Sequence, residues 1–233
     1  MGEMTAKWVE WSIVEPEPRL FHSSTSQYDR LMPVVLALLA AYVVGSVDFA
    51  VLVGRMRGVD IHEVGSGNPG TSNVLRTLGR GPAAMVLVGD TLKGVIGALI
   101  GAIAGGLVDV VSAGEISHWA LAAGLAAVIG HCYPLFHRFK GGKGVATGFG
   151  VLLFTVPLVA VIALVVWALM ARLTRVASIS SMTVVAIAIP LVLWQGVSGL
   201  SLVWLGLTIA LVVWRHKGNI QRMVIGREEK VPT

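Results

Sequence analysis

Six long apolar runs, at 31–53, 82–105, 117–136, 145–171, 179–195 and 197–214, constrain the chain more than any other feature. About 20 consecutive apolar residues cross ~30 Å of hydrocarbon as a helix that satisfies its own backbone hydrogen bonds. A soluble core could not absorb so many. With 55% hydrophobic and 13% charged residues, the chain has roughly half the charged fraction of an ordinary soluble domain. The expected fold is an all-α, polytopic membrane protein. The lone Cys132 excludes a disulfide framework and a cysteine-based metal site. No metal-ligand constellation or redox motif stands out, and no cofactor, nucleic acid or obligatory protein partner is expected.

Lysine and arginine placement sets the expected orientation. Arg55, Arg57, Arg76 and Arg80 fill the first connection, whereas 106–116 carries Asp109 and Glu115 and no base. Arg138, Lys140 and Lys143 return in the third connection. By the positive-inside rule the first and third connections are cytoplasmic and the N-terminus lies outside. A single crossing by 145–171 would strand Arg172, Arg175 and the basic C-terminus on the outer face. A turn near Thr155–Pro157 brings them home and gives about seven crossings, with the C-terminus cytoplasmic. Residues 1–30, rich in glutamate and broken by two prolines, read as a poorly ordered extracytoplasmic tail. Residues 31–227 then form one membrane-embedded domain and 228–233 a short cytoplasmic tail.

The polar residues collect in glycine-rich loops. Gly65-Ser66-Gly67-Asn68-Pro69-Gly70-Thr71-Ser72-Asn73-Val74-Leu75-Arg76 places backbone N–H groups, hydroxyls and amides before a helix start, with Ser72 or Asn73 as the expected cap. Arg76 about one turn inside suits an anion such as phosphate; a solvated turn is the plain alternative. Lys140-Gly141-Gly142-Lys143-Gly144 is a second such loop. It is not a nucleotide P-loop, because Gly144 stands where a magnesium-binding hydroxyl should follow the lysine. It reads either as a phosphate cradle or as a topology signal.

Asp90 and Lys93, three apart in a span, read as a packing ion pair or a functional pair, and His131 as a packed, hydrogen-bonded histidine. Asp48, near the inner end of the first run, is a similar candidate. Arg175 to Ser181 puts hydroxyls at a span start, as caps or substrate ligands. His216 and Asn219 share a helical face after the last span, where a histidine can act as acid, base or donor.

Taken together, in order and over about 33–227, these residues resemble the bacterial acyl-phosphate-dependent glycerol-3-phosphate acyltransferases. The likeness rests on Gly65 to Arg76, Asp90 to Gly94, Gly130 to Thr147, Arg175 to Ser181, and His216 with Asn219. The resemblance implies a seven-helix enzyme of the cell membrane with its active site on the cytoplasmic face. Such an enzyme moves a fatty acyl chain from acyl phosphate to the sn-1 hydroxyl of glycerol 3-phosphate, giving lysophosphatidic acid and phosphate. It implies catalytic roles for Lys143, Ser181, His216 and Asn219. It implies substrate or phosphate contacts for Ser66, Gly67, Asn68, Asn73, Arg76, Gly142, Gly144 and Ser178. Asp90, Lys93 and His131 would stand behind them. Residues 1–30 and Asp48 lie outside the recognised pattern.

An acyl phosphate is already activated, so the expected chemistry is direct hydroxyl attack without an acyl-enzyme. No histidine is followed five residues on by aspartate, which disfavours the His/Asp-activated class of glycerolipid acyltransferases. A transporter for an anionic, phosphorylated metabolite is the alternative, and it would need ionisable residues near the bilayer midplane.

Overall fold

The computed structural model describes residues 27–106 and 117–231. The expected N-terminal tail therefore lies almost wholly outside the described residues, as do Asp109 and Glu115 in the expected outer connection. The described chain is helical throughout: α1 (Gln27–Gly45), α2 (Phe49–Met56), α3 (Thr71–Leu78), α4 (Arg80–Ala104), α5 (His118–Cys132), α6 (Val145–Thr155), α7 (Pro157–Thr174), α8 (Ala177–Trp194), α9 (Gly199–Arg215) and α10 (Lys217–Val224). Among the described residues, five segments are long and apolar enough to cross a membrane: Met32–Met56, Arg80–Ala104, His118–His137, Pro157–Thr174 and Ala177–Trp194. α9 and α10, bent by 55°, make a sixth when taken as one span, and α6 is a shorter apolar helix. The protein is an all-α, polytopic membrane protein, as its apolar runs require.

α4 and α5 form the centre, and they are packed with small residues. A Cβ on Gly45 of α1 would stand 2.1 Å from Ala127 O of α5, and one on Gly130 of α5 would stand 2.2 Å from Tyr42 O of α1. Gly94 of α4 and Gly150 of α6 make the same exchange, each with 2.0 Å to a carbonyl of the other helix, Thr147 O and Thr91 O. Only glycine allows such approach. In lipid, where hydrophobic burial does not drive helices together, close packing of this kind supplies the association.

The first apolar run, expected as one helix over 31–53, is broken. α1 stops at Gly45 and α2 starts at Phe49, with the Asp48 carboxylate accepting from Val51 N at 3.1 Å as its cap. The break frees the Val47 carbonyl, and Lys93 Nζ of α4 donates to it at 2.8 Å. The aspartate and lysine that give the spans their polar character thus repair a helix interruption. The other break falls where expected: α6 ends at Thr155 and α7 begins at Pro157. Val156 between them is buried with Val159, Ala160, Val192, Val197 and Leu205, so one side of the turn is packed against protein.

Candidate active site

The first glycine loop is shaped by Asn73. Its Oδ1 accepts from Ser66 N at 2.9 Å, and its Nδ2 donates to Val64 O at 3.0 Å and Ile61 O at 3.2 Å. Asn73 is buried, so its amide is consumed in holding the loop. Gly65 and Gly67 flank Ser66 with φ of +57° and +66°, a left-handed region that other residues enter at a cost. A Cβ on Gly65 would also meet Asn73 Oδ1 at 2.3 Å. The outcome is a Ser66 side chain presented to Arg76, whose Nη2 donates to Ser66 Oγ at 3.3 Å.

Two expectations for this loop change. α3 begins at Thr71 with Gly70 as its cap, without a capping side chain, because Asn73 turns back into the loop. Asn73 and Gly67, expected at the phosphate, serve the loop itself; Gly67 N–H closes a turn on Val64 O at 3.0 Å. Within this loop and α3 the buried Thr71 hydroxyl and Arg76 Nε–H have no hydrogen-bond partner among the described residues.

The second glycine loop lies against the C-terminal end of α5. Gly142 N–H donates to His131 O at 3.0 Å. A Cβ there would stand 2.2 Å from His131 Nε2 and 2.6 Å from Pro69 O, which also brings the two glycine loops together. Gly142 therefore secures close approach rather than offering its N–H to phosphate. Arg215, at the end of α9, fixes the same segment from the other side, donating to Gly141 O at 2.6 Å and Gly142 O at 3.0 Å. Its guanidinium also lies 5.0 Å from the Tyr133 ring centre. Gly144, with φ +84°, caps α6, whose first-turn N–H groups have no intrahelical acceptors. Lys143 stands at this helix mouth.

Behind the loop, Asp90, Lys93 and His131 form one buried cluster. Asp90 Oδ1 is 2.8 Å from Lys93 Nζ and 3.5 Å from His131 Nδ1. Since Gly142 rests on the same imidazole, the cluster supports the loop from within the membrane.

The third wall comes from α8, α10 and the chain beyond. His216 sits at the bend between α9 and α10, its Nδ1 2.7 Å from Val212 O. A carbonyl only accepts, so Nδ1 carries the proton and the neutral ring keeps its Nε2 lone pair. Residues 225–231 fold back as a strap, with Val231 N–H donating to Arg175 O at 2.7 Å. On this strap the Glu228 carboxylate accepts from Ser178 Oγ at 2.8 Å, Arg222 Nε at 2.8 Å, and Asn219 Nδ2. Burial pushes this carboxyl up, but those three hydrogen bonds and the Arg222 charge hold it below its ordinary pKa. Glu229 Oε2 stands 3.1 Å from Arg76 Nη2. Ser181, one turn deeper than Ser178, donates to Ala177 O at 2.9 Å and accepts from Trp167 Nε1 at 3.2 Å.

Four cations, Arg76, Lys143, Arg215 and Arg222, thus face two carboxylates, Glu228 and Glu229. Lys143 forms no ion pair within 4 Å among the described residues. Burial first, and then Arg222, Arg76 and Arg215, push its pKa down to about 8 against the opposing pull of Glu228. The surplus of positive charge is close to the charge of a phosphate monoester at neutral pH, about −1.5 to −2.

Comparison with known proteins decides the family. The model of the family described as glycerol-3-phosphate acyltransferase matches residues 35–226. The chain belongs to the glycerol-3-phosphate acyltransferase family. It is similar to the glycerol-3-phosphate acyltransferase of Rubrobacter xylanophilus, with 43% identity covering 84% of this chain and 94% of the relative. It is likewise similar to that of Thioalkalivibrio sulfidiphilus, with 41% identity covering 83% and 92%. The crystal structure of PlsY, an integral membrane glycerol 3-phosphate acyltransferase, in its glycerol 3-phosphate form superposes with a TM-score of 0.78, at 36% identity over 86% of this chain and 96% of that one. Its lysophosphatidic acid form gives 0.76.

Of the residues expected at the site, Arg76 contacts Ser66 and Glu229, Ser178 and Asn219 meet on Glu228, and Lys143 and His216 lie within electrostatic reach of that carboxylate. Asn68 keeps a side-chain amide that makes no hydrogen bond to the described protein. Ser181 lies deeper, already engaged by Trp167. Sequence reasoning missed Thr71, Arg215, Arg222, Glu228 and Glu229. Arg215 and Arg222 were visible as helix-end charges, but their carbonyl and carboxylate partners lie far off in the chain or on the strap.

Proposed function

We propose that this acyltransferase takes its acyl group from acyl phosphate and esterifies the sn-1 hydroxyl of glycerol 3-phosphate, releasing lysophosphatidic acid and inorganic phosphate. The carrying observation is Lys143, a partly buried ammonium without an ion pair at the mouth of α6, beside Arg76 and Arg222. Both substrates bring phosphate to such a place, and a long-chain donor reaches it from the lipid. Arg76 with Ser66 and Asn68 hold one phosphate, Lys143 and the free N–H groups of α6 balance the leaving one, and Asn219 and Ser178 orient the acceptor. His216 Nε2 accepts a hydrogen bond from the attacking hydroxyl. The new ester C–O bond forms as the acyl carbon loses its bond to the phosphate oxygen, and the hydroxyl proton passes to His216 or to the departing phosphate.

Direct attack is favoured by the state of the possible nucleophiles. Ser181 donates to a backbone carbonyl, Cys132 is buried behind Gly144, and Ser66 is hydrogen-bonded to Arg76 rather than to a base. A covalent route has one specific contact in its favour, Ser178 against Glu228. There the carboxylate is already stabilised by Arg222 and Asn219, which makes it a weak base. An intact-mass search for an acylated Ser178 during turnover separates the two routes.

The contacts also bear on topology. Pro69 lies against Gly142, Arg215 against Gly141 and Gly142, and Val231 against Arg175, so the loops that bear them share one face. That requires an even number of crossings between each pair, which α4 with α5, α6 with α7, and α8 with α9 supply. We read seven membrane-entering arms, with α1–α2 counted as one and α6 with α7 as a pair that turns back, and on the positive-inside rule the shared face is the cytoplasmic one. α6 is about 17 Å long at 1.5 Å per residue, so its arm ends inside the bilayer, with one side of the turn packed against protein. On this reading residues 31–227 work as one domain with the strap attached.

Purified protein in nanodiscs, given acyl phosphate and glycerol 3-phosphate, is expected to form lysophosphatidic acid and phosphate in equal amounts. Turnover with acyl-CoA or acyl-carrier protein but none with acyl phosphate would overturn the donor. A transporter is disfavoured because the deep Asp90, Lys93 and His131 side chains pair with one another and Lys93 also binds Val47 O.

A further inference from the structure

Arg76 is the one cation of the hollow that the protein both neutralises and leaves incomplete. Its Nη2 is held at 3.1 Å by Glu229, while its Nε–H, shielded from solvent, has no acceptor among the described residues. A carboxylate that satisfied the guanidinium fully would take both edges of the fork, as planar carboxylates and phosphates do. Glu229 takes only one. It is also nearly half exposed, at 48%, and unlike Glu228 it makes no other hydrogen bond among the described residues. Glu228 anchors the strap through three donors; Glu229 is the displaceable neighbour.

We infer that Glu229 occupies the anion position on Arg76 that a substrate phosphate takes in turnover, so that the strap competes with substrate and sets its affinity. This rests on the reading of Arg76 as a phosphate ligand. A phosphate entering the hollow bridges Nε and Nη2, satisfies the orphaned donor, and releases Glu229 to water, where its charge is well solvated. Glu229 is thereby an affinity-determining residue that never touches the reacting atoms.

The test is Glu229→Gln, which keeps size and polarity and removes the competing charge. Its KM for glycerol 3-phosphate or for acyl phosphate is expected to fall about threefold, the scale of a partly exposed ion pair, with kcat nearly unchanged. Inorganic phosphate should bind more tightly by a similar factor. Glu63→Gln, an exposed carboxylate in the connection that leads into the first loop, makes the same change in overall charge and should move neither quantity. Equal shifts in both variants, or no shift of either KM in Glu229→Gln, would overturn the competition. A thermal melt confirms that both variants fold. If the wild-type protein turns over and Glu229→Gln behaves identically, only the strap inference fails; if Arg76→Ala leaves KM and turnover intact, the reading of Arg76 beneath it fails.

Discussion

The two glycine-rich loops look alike in composition and differ in what their glycines are for. In the first, Gly65 and Gly67 provide left-handed backbone around Ser66, and a buried amide, Asn73, ties the loop to itself. In the second, Gly141 and Gly142 let the chain lie against His131 and Pro134, and the loop is held from outside by Arg215. Their cations differ in the same way. Arg76 has a carboxylate of its own chain upon it, whereas Lys143 has none. On the proposed mechanism the self-contained loop with its neutralised cation recognises substrate, and the wedged loop with its unpaired cation receives charge that appears during reaction.

The largest effect expected from that contrast is at Lys143. Lys143→Ala should lower kcat/KM by about 100- to 1,000-fold, the usual cost of removing one preorganised charge-stabilising donor. The melting temperature should hold or rise, since an uncompensated, partly buried ammonium is removed. Wild-type turnover in this variant would erase the distinction between the loops.

Gly142→Ala comes next. Its methyl group must displace the His131 ring or the Pro69 carbonyl, an overpacking cost of about 1–3 kcal/mol, seen as a lower melting temperature and a raised KM for glycerol 3-phosphate. An Ala variant as stable and active as the parent would show that the wedge is unimportant. Asn73→Ala should cost about 1–2 kcal/mol through lost loop hydrogen bonds, and hydrogen exchange across 61–67 should quicken while that of Gly141 to Gly144 stays put. Spread of the effect to the second loop would mean that the two are not independently held.

The smallest effect is with pH. A pKa pushed down to about 8 leaves Lys143 about nine-tenths protonated at pH 7 and about one-tenth at pH 9. Phosphate binds the charged form, so KM for the phosphate held there should rise as pH climbs through 8. Lys143→Arg, permanently charged, should flatten that rise, and a wild-type profile in this variant would assign the titration to another group.

Much of this was legible in the sequence because bilayers write a coarse code. The apolar runs mark the helices, and Pro157 marks the interruption between α6 and α7. The break at Ser46 to Asp48 was not legible, because the group that satisfies the freed Val47 carbonyl is a lysine 46 residues downstream. Asn73 read as a helix cap because residue type reveals capacity to hydrogen-bond, not that its amide turns back to Ser66, Val64 and Ile61. The strap read as a tail because two glutamates after a helix look solvated until Ser178, Asn219, Arg222 and Arg76 are seen to meet them.

Backbone-to-backbone contact among α1, α4, α5 and α6 has a mechanical corollary. Side chains can rotate to absorb strain, but a carbonyl seated against a glycine Cα has nowhere to go, so this part of the protein behaves as a stiff chassis. The lipid-facing α7, with 17% of its span buried, has no glycine and packs through side chains, which can rotate. Variation in bilayer thickness should therefore be taken up at the periphery, while the distance between Arg76 and Lys143 stays constant from one lipid mixture to another.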